Sequence, residues 1–457
     1  MRIIIVGAGV VGSALAEQLL RDKHELAIID ADRNLSALLS EKHDLQILTG
    51  SGSSPELLKE AGIAEADMVL AVTPNDEVNM VVCAIAAQFG VQQRIARLRA
   101  REYALENPHF DLSRLGVTAV IHPEKVMVDN VLQYIETPHA VGSANFEDGR
   151  ILLRGYRVRE NMELAGKTTR QVGEEIKPSV ILFPAIDRGG AGMIPDGNTR
   201  IEPGDIVYAL FPRESLDSFL RLVGQGKKKA RKIIVTGDSY AIMEMAQALQ
   251  GTEHKVTLVD PNLDQARAVA GMYDNIEVIH GDCTDVDLLR ELNVESASFF
   301  ISVSKEADYN ILSALLAKAE GAHEVIATST EERHLKLFNS IGIDHVINPR
   351  LTAAREILEI ISRGQIGAVV ELSDIDIEAV RYIVDPQSEI AGLKIKTIAK
   401  KLKTRSIIGV IVRDNRMILP HGETVVEAED HIIVIARSKD LPAMSKLFKP
   451  HGLLHRR

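Results

Sequence analysis

Arg2-Ile3-Ile4-Ile5-Val6-Gly7-Ala8-Gly9-Val10-Val11-Gly12 stands at the head of the chain and decides the fold. Ile3 to Val6 is an unbroken run of β-branched residues, the pattern of a parallel strand buried on both faces. Three glycines spaced G-x-G-x-x-G follow as a turn. Val11, Leu15 and Leu19 then recur at i, i+4 and i+8, which is one face of a helix. His24 to Asp30 supplies the next strand, which ends on an acid 18 residues after Gly12. Strand, glycine turn, helix and acid together make the dinucleotide-binding fingerprint in the context it requires. Gly7 permits the tight turn. Gly9 has no Cβ, so the main chain can approach a pyrophosphate, and Gly12 lets the helix pack close to the sheet. N–H groups near Val10 and Val11, with the helix dipole, favour phosphate. The whole loop, Gly7, Ala8, Gly9, Val10, Val11 and Gly12, is therefore the candidate phosphate site. Asp30 can accept hydrogen bonds from ribose hydroxyls and would repel a 2′-phosphate. NAD(H) or an adenine nucleotide is expected in preference to NADP(H).

Leu57-Leu58 and then Met68 to Val72 continue the alternation of helix and strand, which predicts a doubly wound parallel sheet. Ligands of such sheets sit outside the carboxyl ends of the strands. Thr73 and Pro74, closing the fourth strand, should border the pocket. Asp76 and Asn79 either lie near it or cap the next helix. Arg97 and Arg99 flank Leu98, so strand alternation puts both on one face. Either could reach a phosphate or face solvent.

The chain repeats itself. Lys232-Ile233-Ile234-Val235 leading to Gly237 matches the opening strand, and Thr257-Leu258-Val259-Asp260 matches the strand ending in Asp30, both at an offset of 230. Leu70-Ala71-Val72-Thr73 matches Ile301-Ser302-Val303-Ser304, and Asn79 matches Asn310, at an offset of 231. The segments between also repeat: Glu163-Leu164-Ala165-Gly166 resembles Glu389-Ile390-Ala391-Gly392. Strands are expected there at Val180–Ile186, Ile206–Leu210, Ile407–Val412 and Ile432–Ala436. The expected order is a Rossmann-like α/β domain (1–137), a small α+β module (138–226), a second Rossmann-like domain (231–360) and a second α+β module (366–450). Gly224 to Lys229 reads as a solvated linker. The second copy of the glycine motif is eroded: Ser239 stands for Gly9, Ile242 for Gly12, and Ala307 for Asp76. The second domain should keep the fold and bind nucleotide weakly or differently. Gly237, Ser239, Asp260 and Asp282 are its candidate site residues.

Composition narrows the classes. The 457 residues are 46% hydrophobic and 26% charged, ordinary for a globular chain of two to four domains. A net charge of −11 argues against a nucleic-acid partner bound through overall charge. Two cysteines, Cys83 and Cys283, make no disulfide framework and fit a reducing cytoplasm. No apolar run reaches the ~18 residues of a membrane span. The apolar N-terminus mimics a signal peptide, but the same strand-and-glycine pattern recurs deep inside the chain. His451 and His455 sit i, i+4 in a tail, a poor metal site. No Ser/His/Asp grouping or paired acid–base set stands out in the α+β modules, so a non-enzymatic role is expected. An NAD-dependent oxidoreductase, which shares the fingerprint, is the alternative.

The duplicated order, Gly7–Gly12 with Asp30, Ala71-Val72-Thr73 followed by Asp76-Glu77-Val78-Asn79-Met80, Arg94-Ile95-Ala96-Arg97, and the turn Glu202-Pro203-Gly204-Asp205 resemble the TrkA family. Its members are cytosolic nucleotide-binding regulators of Trk potassium uptake, built from tandem RCK (KTN) domains. The likeness covers nearly the whole chain and is strongest over residues 1–130. It implies binding of NAD(H) and of ATP or ADP, with Gly7, Gly9, Val10, Val11, Asp30, Thr73, Pro74 and Arg97 lining the first site. It also implies assembly into a ring, expected as a tetramer, on the cytoplasmic face of the inner membrane beneath an integral-membrane potassium-translocating subunit. Ligand identity would change ring shape and hence gating. A nucleotide sensor for another transporter stays open as a second alternative.

Overall fold

The computed structural model describes all residues except 22, 36–44, 101–102, 104–109, 226–230, 238, 274–275, 331–337, 339–340, 363–365, 373–374, 403–405, 415 and 449–457. Most of the expected linker, and both tail histidines, thus lie outside the described residues. Four sheets follow one another along the chain. Strands β1 (Arg2–Val6), β2 (Glu25–Asp30), β3 (Gln46–Thr49), β4 (Met68–Ala71), β5 (Gln93–Arg97) and β6 (Ala119–Ile121) form the first. It is parallel in the order β3-β2-β1-β4-β5-β6, the doubly wound arrangement with its reversal between β1 and β4. The second is antiparallel: β7 (Gly142–Phe146), β8 (Ile151–Arg157), β9 (Leu182–Arg188), β10 (Ala191–Met193) and β11 (Ile206–Pro212), ordered β10-β9-β11-β8-β7.

The third sheet repeats the first with β12 (Lys232–Gly237), β13 (Lys255–Asp260), β14 (Glu277–His280), β15 (Phe299–Val303), β16 (Glu324–Thr328) and β17 (His345–Ile347), ordered β14-β13-β12-β15-β16-β17. The fourth repeats the second with β18 (Ile366–Glu371), β19 (Glu378–Ile383), β20 (Ser406–Arg413), β21 (Arg416–Ile418) and β22 (His431–Ala436). Its order, β18-β19-β22-β20-β21, is the same as that of the second sheet. The strands expected in the α+β modules are present with ends moved by one or two residues. The largest shift is in the first module's strand expected at Val180–Ile186, which runs Leu182–Arg188, two residues later at both ends.

The chain gathers into two compact units, and each combines a piece of both halves. Residues 1–131 with 230–358 form one, and 132–229 with 359–457 form the other. In the second unit, apolar residues of both halves share a core. Leu153, Tyr208 and Leu210 pack with Val410, Ile433 and Ile435. At its rim the buried carboxylate of Glu147 holds Arg381 at 3.2 Å and His431 Nδ1 at 2.8 Å.

Duplication is preserved down to single interactions. Arg188 forks onto Asp205 with two contacts of 2.8 Å, and Arg413 forks onto Asp430 at 2.7 and 2.8 Å. Each guanidinium also bonds a main-chain carbonyl, of Arg200 and of Val425. In the first unit Asn79, fully buried, pins the ends of two strands. Its Oδ1 accepts from the N–H and hydroxyl of Thr73 at 3.0 and 2.7 Å, and its Nδ2 donates to Thr73 O and Arg97 O at 2.9 and 2.7 Å. Asn310 does the same between Ser304 and Thr328.

Two outcomes follow from this packing. Asn79→Ala leaves several buried groups unpaired, each costing about 1–3 kcal/mol. Urea denaturation should show a loss of about 2–4 kcal/mol. Burial pushes the thiols of Cys83 and Cys283 up to about 12. Native protein at pH 8 should therefore resist iodoacetamide, and unfolded protein should take up two equivalents by mass.

Candidate functional site

The glycine loop is held from three sides. Gly7 adopts φ +110°, and a Cβ there would lie 3.0 Å from Thr73 N and 3.1 Å from Val72 C, so only glycine fits against the end of β4. The turn is shorter than the motif: the helix Val10–Arg21 starts at Val10, so Gly12 is helical. A Cβ on Gly12 would stand 1.8 Å from the carbonyl oxygen of Gly7. Its job is thus to let the helix close down on the turn itself, with the nearest sheet side chain, Ile5, at 3.5 Å. Ala8 is buried beneath the loop, and its N–H donates to Asp30 Oδ2. A Cβ on Gly9 would meet nothing within 4 Å, which leaves bare main chain facing open space.

That space is a cavity of about 790 Å³, within the usual range for a small-molecule site. Gly7, Gly9, Val11, Asp30, Thr73, Pro74 and Arg97 line it; Ala8 and Gly12 support the loop from behind. Asp30 Oδ1 also accepts the N–H of Asp32 at 2.7 Å. A carboxylate offers about four lone-pair positions, so acceptor capacity is left toward the cavity. Asp76 and Asn79 turn out to be structural. Asn75 caps the helix Asp76–Gln88, and Asp76 Oδ2 accepts the N–H groups of Arg99 and Ala100, both at 2.9 Å.

Positive charge gathers at the β5 end of the cavity. Arg99 Nε lies 3.3 Å from Glu124 Oε1, an ion pair without hydrogen-bond geometry. Arg97 Nε is buried with no hydrogen-bond partner, and the carboxylates of Glu124 and Asp76 lie close enough to favour the charged guanidinium. Burial first, and Arg99 second, push its pKa down. The guanidinium still stays charged at neutral pH. An enclosed cation with unmet donors favours an anion beside it.

Sequence reasoning missed the other wall. Ser304, Lys305, Thr328, Ser329 and Thr330, from the carboxyl ends of β15 and β16, line the same cavity. The repeat offset of 231 carries Thr73 to Ser304, Pro74 to Lys305 and Arg97 to Thr328. The signal lay in the strand ends of the second half, not in its glycine motif. The four residues expected to form a second site do not line the cavity. Gly237 is drawn into β12, where a Cβ would meet Val303 at 2.9 Å, and Ser239 begins the following helix. Asp260 is buried and accepts the N–H of Asn262, while Asp282 holds the N–H and hydroxyl of Thr284. Tyr309 reaches across instead: its hydroxyl is 2.8 Å from Thr236 Oγ1 and accepts the Cys283 N–H at 3.2 Å. The first-half counterparts of these three, Val78, Val6 and Gly52, all border the open cavity.

The TrkA-N domain model matches residues 3–123 and 233–349, and the TrkA-C domain model matches 153–224 and 379–449. The chain belongs to the TrkA family. The Trk system potassium uptake protein TrkA of Azorhizobium caulinodans is 30% identical over 454 residues, covering 98% of this chain and 99% of that one. The protein of the same name from Haemophilus influenzae is 30% identical over 456 residues, with the same coverage. Among solved structures the GsuK channel bound to NAD superposes with a TM-score of 0.62 at 18% identity, covering 98% of this chain and 78% of that one. It shares the fold of this TrkA family member. Among the described residues no helix is long and apolar enough to cross a membrane.

Tyr309→Phe removes a hydroxyl that serves two groups of the second half. The expected loss is about 1–2 kcal/mol of stability by urea denaturation.

Proposed function

We propose that this chain is the nucleotide-responsive regulatory subunit of a potassium-uptake system, and that it acts by changing shape and not by turning its ligand over. NAD(H), ATP or ADP would occupy the first-half cavity. The observation that carries this reading is the cavity itself, lined in sheet order by the acceptor Asp30 at the end of β2, bare main chain at Gly9 after β1 and the cation Arg97 at the end of β5. The order matches the parts of an adenine nucleotide, with Asp30 for the ribose, the Gly7–Gly9 turn and the start of the helix Val10–Arg21 for the diphosphate, and Arg97 for what lies beyond. Asp30 and Asp32 together would repel a 2′-phosphate. Support also comes from the relatives' names, which place them in the Trk potassium uptake system, and from the NAD held by a channel of the same fold.

The remainder of the reading is assembly. Subunits would form a ring, a tetramer by this proposal, docked in the cytoplasm beneath an integral-membrane potassium-translocating partner. Each of the two units draws on both the first and the second half of the chain. A ligand shifts such a ring only if it binds one shape more tightly than another.

Calorimetric titration with NADH, ATP and ADP tests the reading. Asp30→Ala should weaken NADH by about tenfold or more, equivalent to about 1.4 kcal/mol. Arg97→Ala should reduce the preference of the protein between ATP and ADP. An unchanged ratio would remove Arg97 from that role, and no binding of any of the three would overturn the proposal.

A further inference from the structure

The cavity has two walls, and only one of them carries the fingerprint. In the first half its mouth is set by Thr73, Pro74 and the pair Arg97 and Arg99. By the repeat, the facing positions in the second half are Ser304, Lys305, Thr328 and Thr330. Two guanidiniums have become two hydroxyls, and a proline has become a lysine. Had the arginines been kept, like charges would have gathered in one cavity from both sides. A ligand anchored at the Gly7 turn with its ribose at Asp30 would point its far end toward β5, in the same cavity that this second wall lines. Meanwhile the second half's own crevice is crossed by Tyr309, bound to Thr236 and Cys283.

Resting on the nucleotide reading above, we infer that the second half has become the far wall of the first-half site, so that each chain holds one shared nucleotide whose terminal phosphate is read by Lys305. The lysine sits in the exposed loop between β15 and the helix Ala307–Ala319, where it adds a point charge that a short diphosphate would not meet. Arg97 and Lys305 then grip a triphosphate from opposite halves. The same contact makes the separation of the two halves depend on the length of the phosphate chain.

Titration calorimetry on the full chain tests this with ATP, ADP and NADH. Wild type should bind about one nucleotide per chain. Lys305→Gln should weaken ATP by about tenfold or more while changing ADP by less than about threefold, and Lys305→Arg should restore ATP. Being exposed, the position tolerates both changes without loss of fold. Two nucleotides per chain would overturn the shared site. Equal losses for ATP and ADP, or no loss, in Lys305→Gln would overturn the role of the lysine while leaving the nucleotide reading intact. Failure of wild type to bind any of the three would instead overturn that reading.

Discussion

The closure of one helix onto one carbonyl governs the first half. Gly12 brings the helix Val10–Arg21 within 1.8 Å, measured from where a Cβ would be, of the oxygen of Gly7. A methyl group at that position could only be accommodated by lifting the helix. Lifting it would pull Gly9 and Val11 away from the cavity and loosen the seat of Gly7 against Thr73. Asp30 secures the same loop from below through Ala8. Asn79 then fixes Thr73 to the end of β5, which places Arg97. Three residues far apart in sequence, Gly12, Asp30 and Asn79, thereby set the geometry of a single rim.

The second half shows what happens when that closure is given up. Ile242 takes the place of Gly12 and is fully buried, and β12 extends to Gly237. The main-chain bonds of the strand-end pin survive in Asn310, so the fold does not depend on the glycine turn. The bare loop is dispensable for folding and specific to the first half. Retention there, against the ~0.5–1 kcal/mol that a helical glycine such as Gly12 costs relative to alanine, points to a use other than stability.

Much of this was legible in the sequence for physical reasons. Ile3–Val6 and Ile233–Val235 could be read as buried strands because both faces of a parallel sheet are covered, and the repeat fixed the order of the four sheets. Asp30 and the loop could be placed because their spacing is set by main-chain geometry. Pairing of the halves could not be read, since periodicity reports which face of an element is buried and not what buries it. For that reason Lys305 and Thr328 escaped notice as cavity residues, although their counterparts Pro74 and Arg97 did not. Tyr309 was equally invisible: a tyrosine on a helix signals burial, and only the positions of Thr236 and Cys283 show what its hydroxyl holds. The residues expected at a second site lie outside this cavity because they follow the glycine motif and not the strand ends beside it.

A site shared between two halves changes how binding can be transmitted. If both walls moved as one body, a nucleotide would meet the same surroundings in every state and shift no equilibrium. Walls from separate domains make affinity depend on their spacing, so the ligand acquires a preferred arrangement through its own length. A tenfold preference per site is about 1.4 kcal/mol. Four such sites moving together, as in a tetramer of the proposed kind, sum to about 5.6 kcal/mol. That is close to the ~5.5 kcal/mol that carries a two-state equilibrium from about 1:99 to about 99:1. Modest discrimination at Arg97 and Lys305, repeated around a ring, is therefore enough for a switch, and no single contact has to be strong.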